Sequence, residues 1–355
     1  MARMDQGPIF VVGSMRSGST MLRLILDSHP RIAIGAETGF MGALLANRRI
    51  PGWKHGGEWF GRLGWSQEEM DARLREFYTG MFERHARSQG KARWGDKTPF
   101  HTSHMEEMGQ LFPDATFVGI VRHPGAVAAS LHRSFHYAFD EAVAYWCDVN
   151  RQMLVAAGKL GDRYTLCRYE DLVSDTEGVL REVMTSLGEE FDVALLRHHQ
   201  VQRAQGAPKL TDGSTSSRDP IDARRAERWS DEITDSQRKE LTVAGPLGAL
   251  FGYTESGTGP FPAGSHRWTA TGTELARRCS EHPGLLDRGR DVQLALDADP
   301  AELARRLAQV EAALARTRAR RVVRFAEAAR RVQRGRTWAD VRAASTMLRR
   351  DGRRG

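Results

Sequence analysis

The chain has 355 residues, 40% hydrophobic and 27% charged, the make-up of a globular protein long enough for one large domain with an appendage, or for two domains. No apolar run approaches the ~20 residues of a membrane-spanning helix, and three widely spaced cysteines, Cys147, Cys167 and Cys279, form neither a zinc pattern nor a disulfide framework. The net charge of +7 is uneven: residues 301–355 hold 16 arginines against 5 acidic residues, which leaves residues 1–300 slightly acidic and makes the basic character a property of the tail.

The N-terminus lacks the charged start and long apolar stretch of a signal peptide, so a reducing cytoplasm is the expected setting. Residues 8–12 predict a buried strand, short, apolar and followed by glycine. Residues 19–28 predict a helix that His29-Pro30 ends, because the residue before proline disfavours helical backbone. Ile32 to Gly35 predicts a weak second strand, and a glycine- and tryptophan-rich loop follows from Arg49 to Trp65. Ser66 and Glu69 form a capping box that opens a helix reaching Ser88. Arg93 to Pro99 predicts a strand end passing into a turn. Further helices are expected at 102–111, 124–134, 139–160, 176–187 and 192–199, and strands at 115–121 and from Tyr164 to Glu170. Strands alternating with helices predict an α/β fold, a three-layer sandwich around a central parallel sheet. Ligands in such sheets gather at the carboxyl ends of the strands.

Residues 204–223 are polar and aperiodic, a loop long enough to be functional or disordered. Thr234 and Gln237 cap a helix expected to end near Gly245-Pro246. Ser256 to Gly264 reads as a linker. The expected organisation is a main domain over 1–255, a linker over 256–264 and an Arg-rich, mainly helical extension over 265–355. In that extension Leu303, Leu307, Val310 and Leu314 keep helical spacing for two heptads, and the pattern fails at Thr317.

Chemistry concentrates after the strands. "GSMRSGST", residues 13–20, follows the first strand and fits the phosphate loop G-x-x-x-x-G-K-S/T except that Ser19 stands at the lysine. Its helix N-terminus, the hydroxyls of Ser17, Ser19 and Thr20, and the guanidinium of Arg16 all favour an anion. The missing lysine argues against ordinary triphosphate hydrolysis. "VRHPGAVAAS" places Arg122 at a strand end and Ser130 two helical turns on, a pair suited to a second phosphate; a strand-end salt bridge is the alternative. Glu37, after the weak second strand, is a candidate general base, or else a helix-start glutamate. Lys97 suits negative charge on a bridging oxygen, or else pairs with Asp96 or another carboxylate. His101 and His123 are alternative bases.

These residues resemble sulfotransferases that use 3′-phosphoadenosine-5′-phosphosulfate, most nearly the tyrosylprotein sulfotransferase branch and its bacterial relatives. The likeness spans residues 8–253. It runs through "PIFVVGSMRSGSTMLRLILDSHPRIAIGAET", "VRHPGAVAAS" and "RYEDLV". It implies a P-loop-like domain in which Arg16, Ser17, Gly18, Ser19 and Thr20 bind the 5′-phosphosulfate and Arg122 and Ser130 the 3′-phosphate. Tyr169 would lie near the adenine. Glu37 would be the base, with Lys97 and Arg16 stabilising charge. The donor is a co-substrate, no metal is implied, and the acceptor carries a hydroxyl, or less favourably an amine, on a carbohydrate, phenol, lipid or peptide. The late R-K-G-x-x-G-x-W stretch of the family is replaced by "RRAERWSDEI". Arg228, with Arg225 as the alternative, is expected to complete the cofactor site, as is Ser217 in competition with Ser214 and Ser216.

Two rivals remain at this level: a kinase-like P-loop enzyme, and a non-catalytic adenosine-bisphosphate-binding protein whose tail docks on an anionic membrane surface. The arginine-rich tail reads first as a solvated helical face, with peripheral membrane association next and nucleic acid not expected. The 46 arginines against 6 lysines suggest codon bias more than selection for phosphate contacts.

Overall fold

A computed structural model describes residues 6–46, 48, 55–204, 206, 219–255, 257–261, 267–282 and 284–286. The chain divides into one compact unit that ends at Leu286 and a second from Asp287 onward. The second lies outside the described residues, and with it the expected helices of the tail.

The apolar run at the start forms β1 (Ile9–Val12), wholly buried. The glycine loop turns it into α1 (Ser19–Asp27), and β2 (Ile32–Ile34) follows the proline stop. Two short helices that the sequence pattern does not announce, α2 (Phe40–Ala46) and α3 (Gly56–Arg62), precede α4 (Gln67–Ser88). The Ser66 hydroxyl accepts the Glu69 amide at 3.3 Å, so the expected cap starts α4. β3 (Arg93–Lys97) leads through a 3-10 turn (Pro99–His104) into α5 (Met105–Leu111), which tightens the first half of the helix expected at 102–111. Next come β4 (Thr116–Val121), α6 (Pro124–Phe135), α7 (Phe139–Leu160) and β5 (Tyr164–Arg168). β5 stops at Arg168 because Tyr169 already starts α8 (Tyr169–Ser174), which α9 (Thr176–Leu187) follows. A further 3-10 turn (Val193–Arg197) runs into α10 (His198–Ala204). After the partly described 204–223 loop come α11 (Trp229–Glu232), α12 (Asp235–Glu240) and α13 (Gly245–Ala249). Gly245-Pro246 thus opens a helical piece instead of ending one, since proline suits a first helical turn.

The sheet order is β2-β3-β1-β4-β5, all parallel, with a sixth strand beside β5. Alternation along β1 feeds two cores. Phe10 and Val12 join Phe117, Trp146 and Tyr164 on one face, while Ile9 and Val11 join Ile25, Ile120 and Leu180 on the other. The result is the expected α/β sandwich. It differs at its far edge. β6 (Tyr253–Thr254) and β7 (Gly257–Thr258) form a small hairpin, and β8 (Thr269–Thr271) then pairs antiparallel with β5. α14 (Gly272–Ser280) packs on α7. The compact unit therefore continues through the expected linker and past residue 265 to Leu286. β1 lies at the centre, and the chain leaves it in opposite directions toward β2 and β4. This switch point is where an open α/β sheet leaves a crevice.

Candidate active site

The crevice is built first by the loop after β1. Its backbone is pinned from three sides: Thr102 Oγ1 accepts from the Gly13 amide at 2.9 Å and donates to its carbonyl at 3.1 Å, and Tyr145 OH accepts from the Met15 amide at 3.0 Å. The Ser17 hydroxyl turns inward to the Ser14 carbonyl at 2.7 Å, so Ser17 shapes the loop and its side chain does not face the cleft. Gly18, the residue before α1, has a left-handed φ of 101°. No side chain caps this helix start and no acidic residue sits in its first turn, which leaves its amides and dipole available to an anion.

Arg16, itself left-handed at φ 66°, reaches away from the loop, and its Nε donates to Ser130 Oγ at 2.7 Å. The guanidinium carbon of Arg122 lies over the Tyr169 ring, 4.2 Å from its centroid. It donates to the Arg16 carbonyl at 3.4 Å and to the Arg225 carbonyl at 2.9 Å, while its buried Nε has no hydrogen-bond partner among the described residues. The two motifs, more than a hundred residues apart in sequence, thus meet directly, and Arg16 and Arg122 open onto one cleft. Burial holds the Tyr169 phenol above its ordinary range, so the ring stays neutral under the guanidinium.

At the other end of the loop, the ammonium of Lys97 donates to Thr20 Oγ1 at 3.1 Å and forms an ion pair with Glu37. Lys97 is 1% exposed at its side chain and Glu37 47%, so a buried cation meets a carboxylate on the rim. Of the alternatives left open by the sequence, Lys97 forms its ion pair with the other carboxylate, Glu37, while its charge also acts on Asp96. Glu37 precedes α2 by three residues, in extended coil. That coil is held by α1: Arg23 donates to the carbonyls of Ile34 and Gly35 at 3.0 and 3.2 Å, and Asp27 accepts the Ile34 amide at 2.9 Å. Asp96, the β3 residue before Lys97, accepts the Tyr78 hydroxyl, and burial pushes its carboxyl up to about 6.

Arg16, Gly18, Ser19, Thr20, Glu37, Arg122 and Tyr169 all line the cleft, with Lys97 and Ser130 one hydrogen bond behind them. Arg228 is exposed and outside the lining. Arg225, the alternative considered beside it, is in the lining. Trp229 stacks on His123 at 4.1 Å and is buried there. Ser217, with Ser214 and Ser216, lies outside the described residues. His101 and His123 are 1% exposed and neither lines the cleft; burial drives them down to about 3 and about 4, which keeps both neutral. The cleft also uses residues not foreseen individually: Met21 and Leu24 from α1, His198 from α10, and Asp219 to Asp222 where the long loop returns. The only signal for the last group was the length of that loop. Among the described residues, no cluster of three or more His, Cys, Asp or Glu is placed to hold a metal.

A family model described as "Sulfotransferase family" matches residues 8–193. Protein-tyrosine sulfotransferase 1 of Danio rerio is 25% identical over 262 residues, covering 70% of this chain and 73% of its own. Nodulation protein NoeE of Sinorhizobium fredii is 25% identical over 283 residues, covering 70% and 66%. Among solved structures, the sulfotransferase domain of the Synechococcus PCC 7002 olefin synthase is similar at 25% identity with a TM-score of 0.50, over 72% of this chain and 98% of that one. With more than half of its length matched by the family model, and the matched segment carrying both arginine motifs, Glu37 and Lys97, the chain belongs to the sulfotransferase family and is a transferase of sulfur-containing groups.

Proposed function

We propose that the chain moves a sulfuryl group from 3′-phosphoadenosine-5′-phosphosulfate to an acceptor hydroxyl by in-line displacement. The observation that carries this is the meeting of Arg16 with Ser130 and Arg122 in one cleft that ends at the Glu37–Lys97 pair. The residues fit the donor. The uncapped start of α1, with Ser19 and Thr20, suits the phosphosulfate end, and the partner-free Nε of Arg122 suits the 3′-phosphate. Tyr169 and Ile221 offer an apolar slot for the base. When bound, the donor supplies a sulfuryl group activated by its bond to a phosphate oxygen.

The chain's own residues do the rest. Glu37, on the rim, takes the proton of the acceptor hydroxyl. Lys97 and Arg16 hold the negative charge that grows on the leaving oxygen, from positions fixed by Thr20 and Ser130 before any ligand arrives. Lys97 comes from β3 and not from the loop, which supports a donor without a γ-phosphate over the kinase-like reading. The relatives named for tyrosine as acceptor support a hydroxyl nucleophile.

Calorimetric titration with adenosine 3′,5′-bisphosphate is expected to show binding that ATP with magnesium does not reproduce; the reverse preference rejects the donor. Glu37→Gln is expected to lower kcat about 10²–10⁴-fold without weakening the bisphosphate. Near wild-type turnover in that variant would remove Glu37 as the base.

A further inference from the structure

The rim beside Glu37 is apolar to an extent that the donor site does not require. Met15, Pro99 and Phe135 line the same cleft as Glu37. Phe100 follows Pro99 in the 3-10 turn, and α2 packs against that turn. Phe40, the first residue of α2, lies three residues from Glu37, and its ring is 6.2 Å from that of Phe77 on α4. Phe40, Phe77, Phe100 and Phe135 are 38%, 58%, 67% and 53% exposed, and among the described residues they are the only exposed phenylalanines. Scattered exposed apolar residues need no explanation, but here Phe135 lines the cleft, Phe100 and Phe40 adjoin its lining residues Pro99 and Glu37, and Phe77 packs on Phe40, a grouping that suits a binding surface.

We propose that the acceptor is an amphiphile, a phenol or alcohol on an extended apolar tail, whose hydroxyl reaches Glu37 while its tail lies across Phe100, Phe40 and Phe77. This rests on the sulfotransferase reading above and adds the acceptor class to it. The lip adjoins the cleft through two of its lining residues, Pro99 beside Phe100 and Glu37 three residues before Phe40, so an occupant that enters from it brings its oxygen to Glu37. Phenylalanine, proline and methionine side chains cannot donate to the hydroxyls of a sugar or neutralise the carboxylates of an acidic peptide. They can take up hydrocarbon. The Glu37 carboxylate is already paired with Lys97, so a neutral acceptor meets no unbalanced charge there. The step balances. The acceptor oxygen loses its proton to Glu37 and forms the new O–S bond, and the old S–O bond breaks with its electron pair leaving on the adenosine bisphosphate.

The test is a homologous series of 4-n-alkylphenols, ethyl to octyl, turned over by the full chain with radiolabelled donor. Each methylene that the lip covers is worth up to about 0.8 kcal/mol, so kcat/KM is expected to rise about 2–4-fold per carbon and then level off. The double variant Phe77→Ser, Phe100→Ser, changed only at exposed positions, is expected to flatten that dependence. A flat series in the wild type overturns the proposal, as does a slope unchanged in the double variant. So does an acidic tyrosine peptide or a glycoside that exceeds every alkylphenol in kcat/KM. Titration of the same preparation with adenosine 3′,5′-bisphosphate separates the two levels: binding with a flat series sinks the acceptor class alone, and no binding sinks the donor reading and this inference together.

Discussion

At the scale of single residues the site depends on groups that perform two tasks. Gly18 combines a left-handed φ with contact against the Tyr169 ring, whose Cδ2 lies 2.5 Å from where a Cβ would stand. Gly18→Ala is expected to cost about 1–3 kcal/mol of stability, seen in denaturant titration, and to weaken bisphosphate binding by displacing Tyr169. Arg122 is likewise both a cation and a lid on Tyr169, with one arm tied to the backbone of the phosphate loop and another to that of Arg225. Lysine keeps the charge and loses the plane and the fork. Arg122→Lys is therefore expected to weaken adenosine 3′,5′-bisphosphate about 10–100-fold by calorimetry, the loss of one or two charged hydrogen bonds. Undiminished affinity would mean that Arg122 serves the fold and not the ligand.

At the scale of elements, the far edge of the sheet carries more than its sequence suggests. α14 starts so close to α7 that a Cβ on Gly272 would stand 2.1 Å from the Ala157 carbonyl. Thr271 caps that start through the Glu274 amide at 3.2 Å, and Glu274 returns a contact to the Thr271 amide at 2.8 Å. Gly272→Val is expected to destabilise the domain by about 1–3 kcal/mol through overpacking, with the donor cleft untouched. A protein cut after Gly264, lacking both β8 and α14, is expected to unfold at a markedly lower temperature than one cut after Leu286; equal thermal midpoints would show that this edge is dispensable.

The same elements show what a sequence pattern can and cannot carry. β1 and the body of β4 are buried on both faces and read as apolar runs, whereas β5, Tyr-Thr-Leu-Cys-Arg, is as buried but carries a threonine and an arginine. The residues just past β1 and β4, Ser14 to Thr20 and Arg122, could be located from that alone. β8 is three residues, Thr-Ala-Thr, whose pairing is a tertiary choice with no local period. α2 and α3 are seven residues each, too short to display an amphipathic repeat against the glycines around them. Arg225 was preferred over Arg228 by the return path of a long loop, and neighbouring residue types do not encode such a path. The Glu37–Lys97 pair was visible only as two separate candidates, because the contact that joins them spans β2, β3 and α1.

At the scale of the whole molecule, buried histidines shape how the domain responds to acid: burial lowers His29, and more strongly His101, His123 and His198. Burial drives His101 to about 3 and His123 and His198 to about 4. Histidine titrates near 6.5 in an unfolded chain. The unfolded state therefore binds three more protons than the folded state as pH falls below 6.5, and the stability these groups contribute is complete above that value and lost on the way down. Asp96 acts with the opposite sign. Its folded value of about 6 stands above the carboxylate's unfolded value, so the folded state binds its proton first, and stability falls as pH rises through 6. Around pH 5 His101, His123, His198 and Asp96 together leave the unfolded state with about two more protons than the folded state, so stability falls as pH falls there. Denaturant midpoints measured between pH 7 and 5 are expected to drop steeply. His123→Gln should make the drop shallower. Asp96→Asn, by removing a group that opposes it, should make it steeper. A midpoint independent of pH over this range would contradict the burial of all three histidines. A profile that Asp96→Asn leaves unchanged would mean that the carboxyl preceding Lys97 does not carry the raised proton affinity assigned to it.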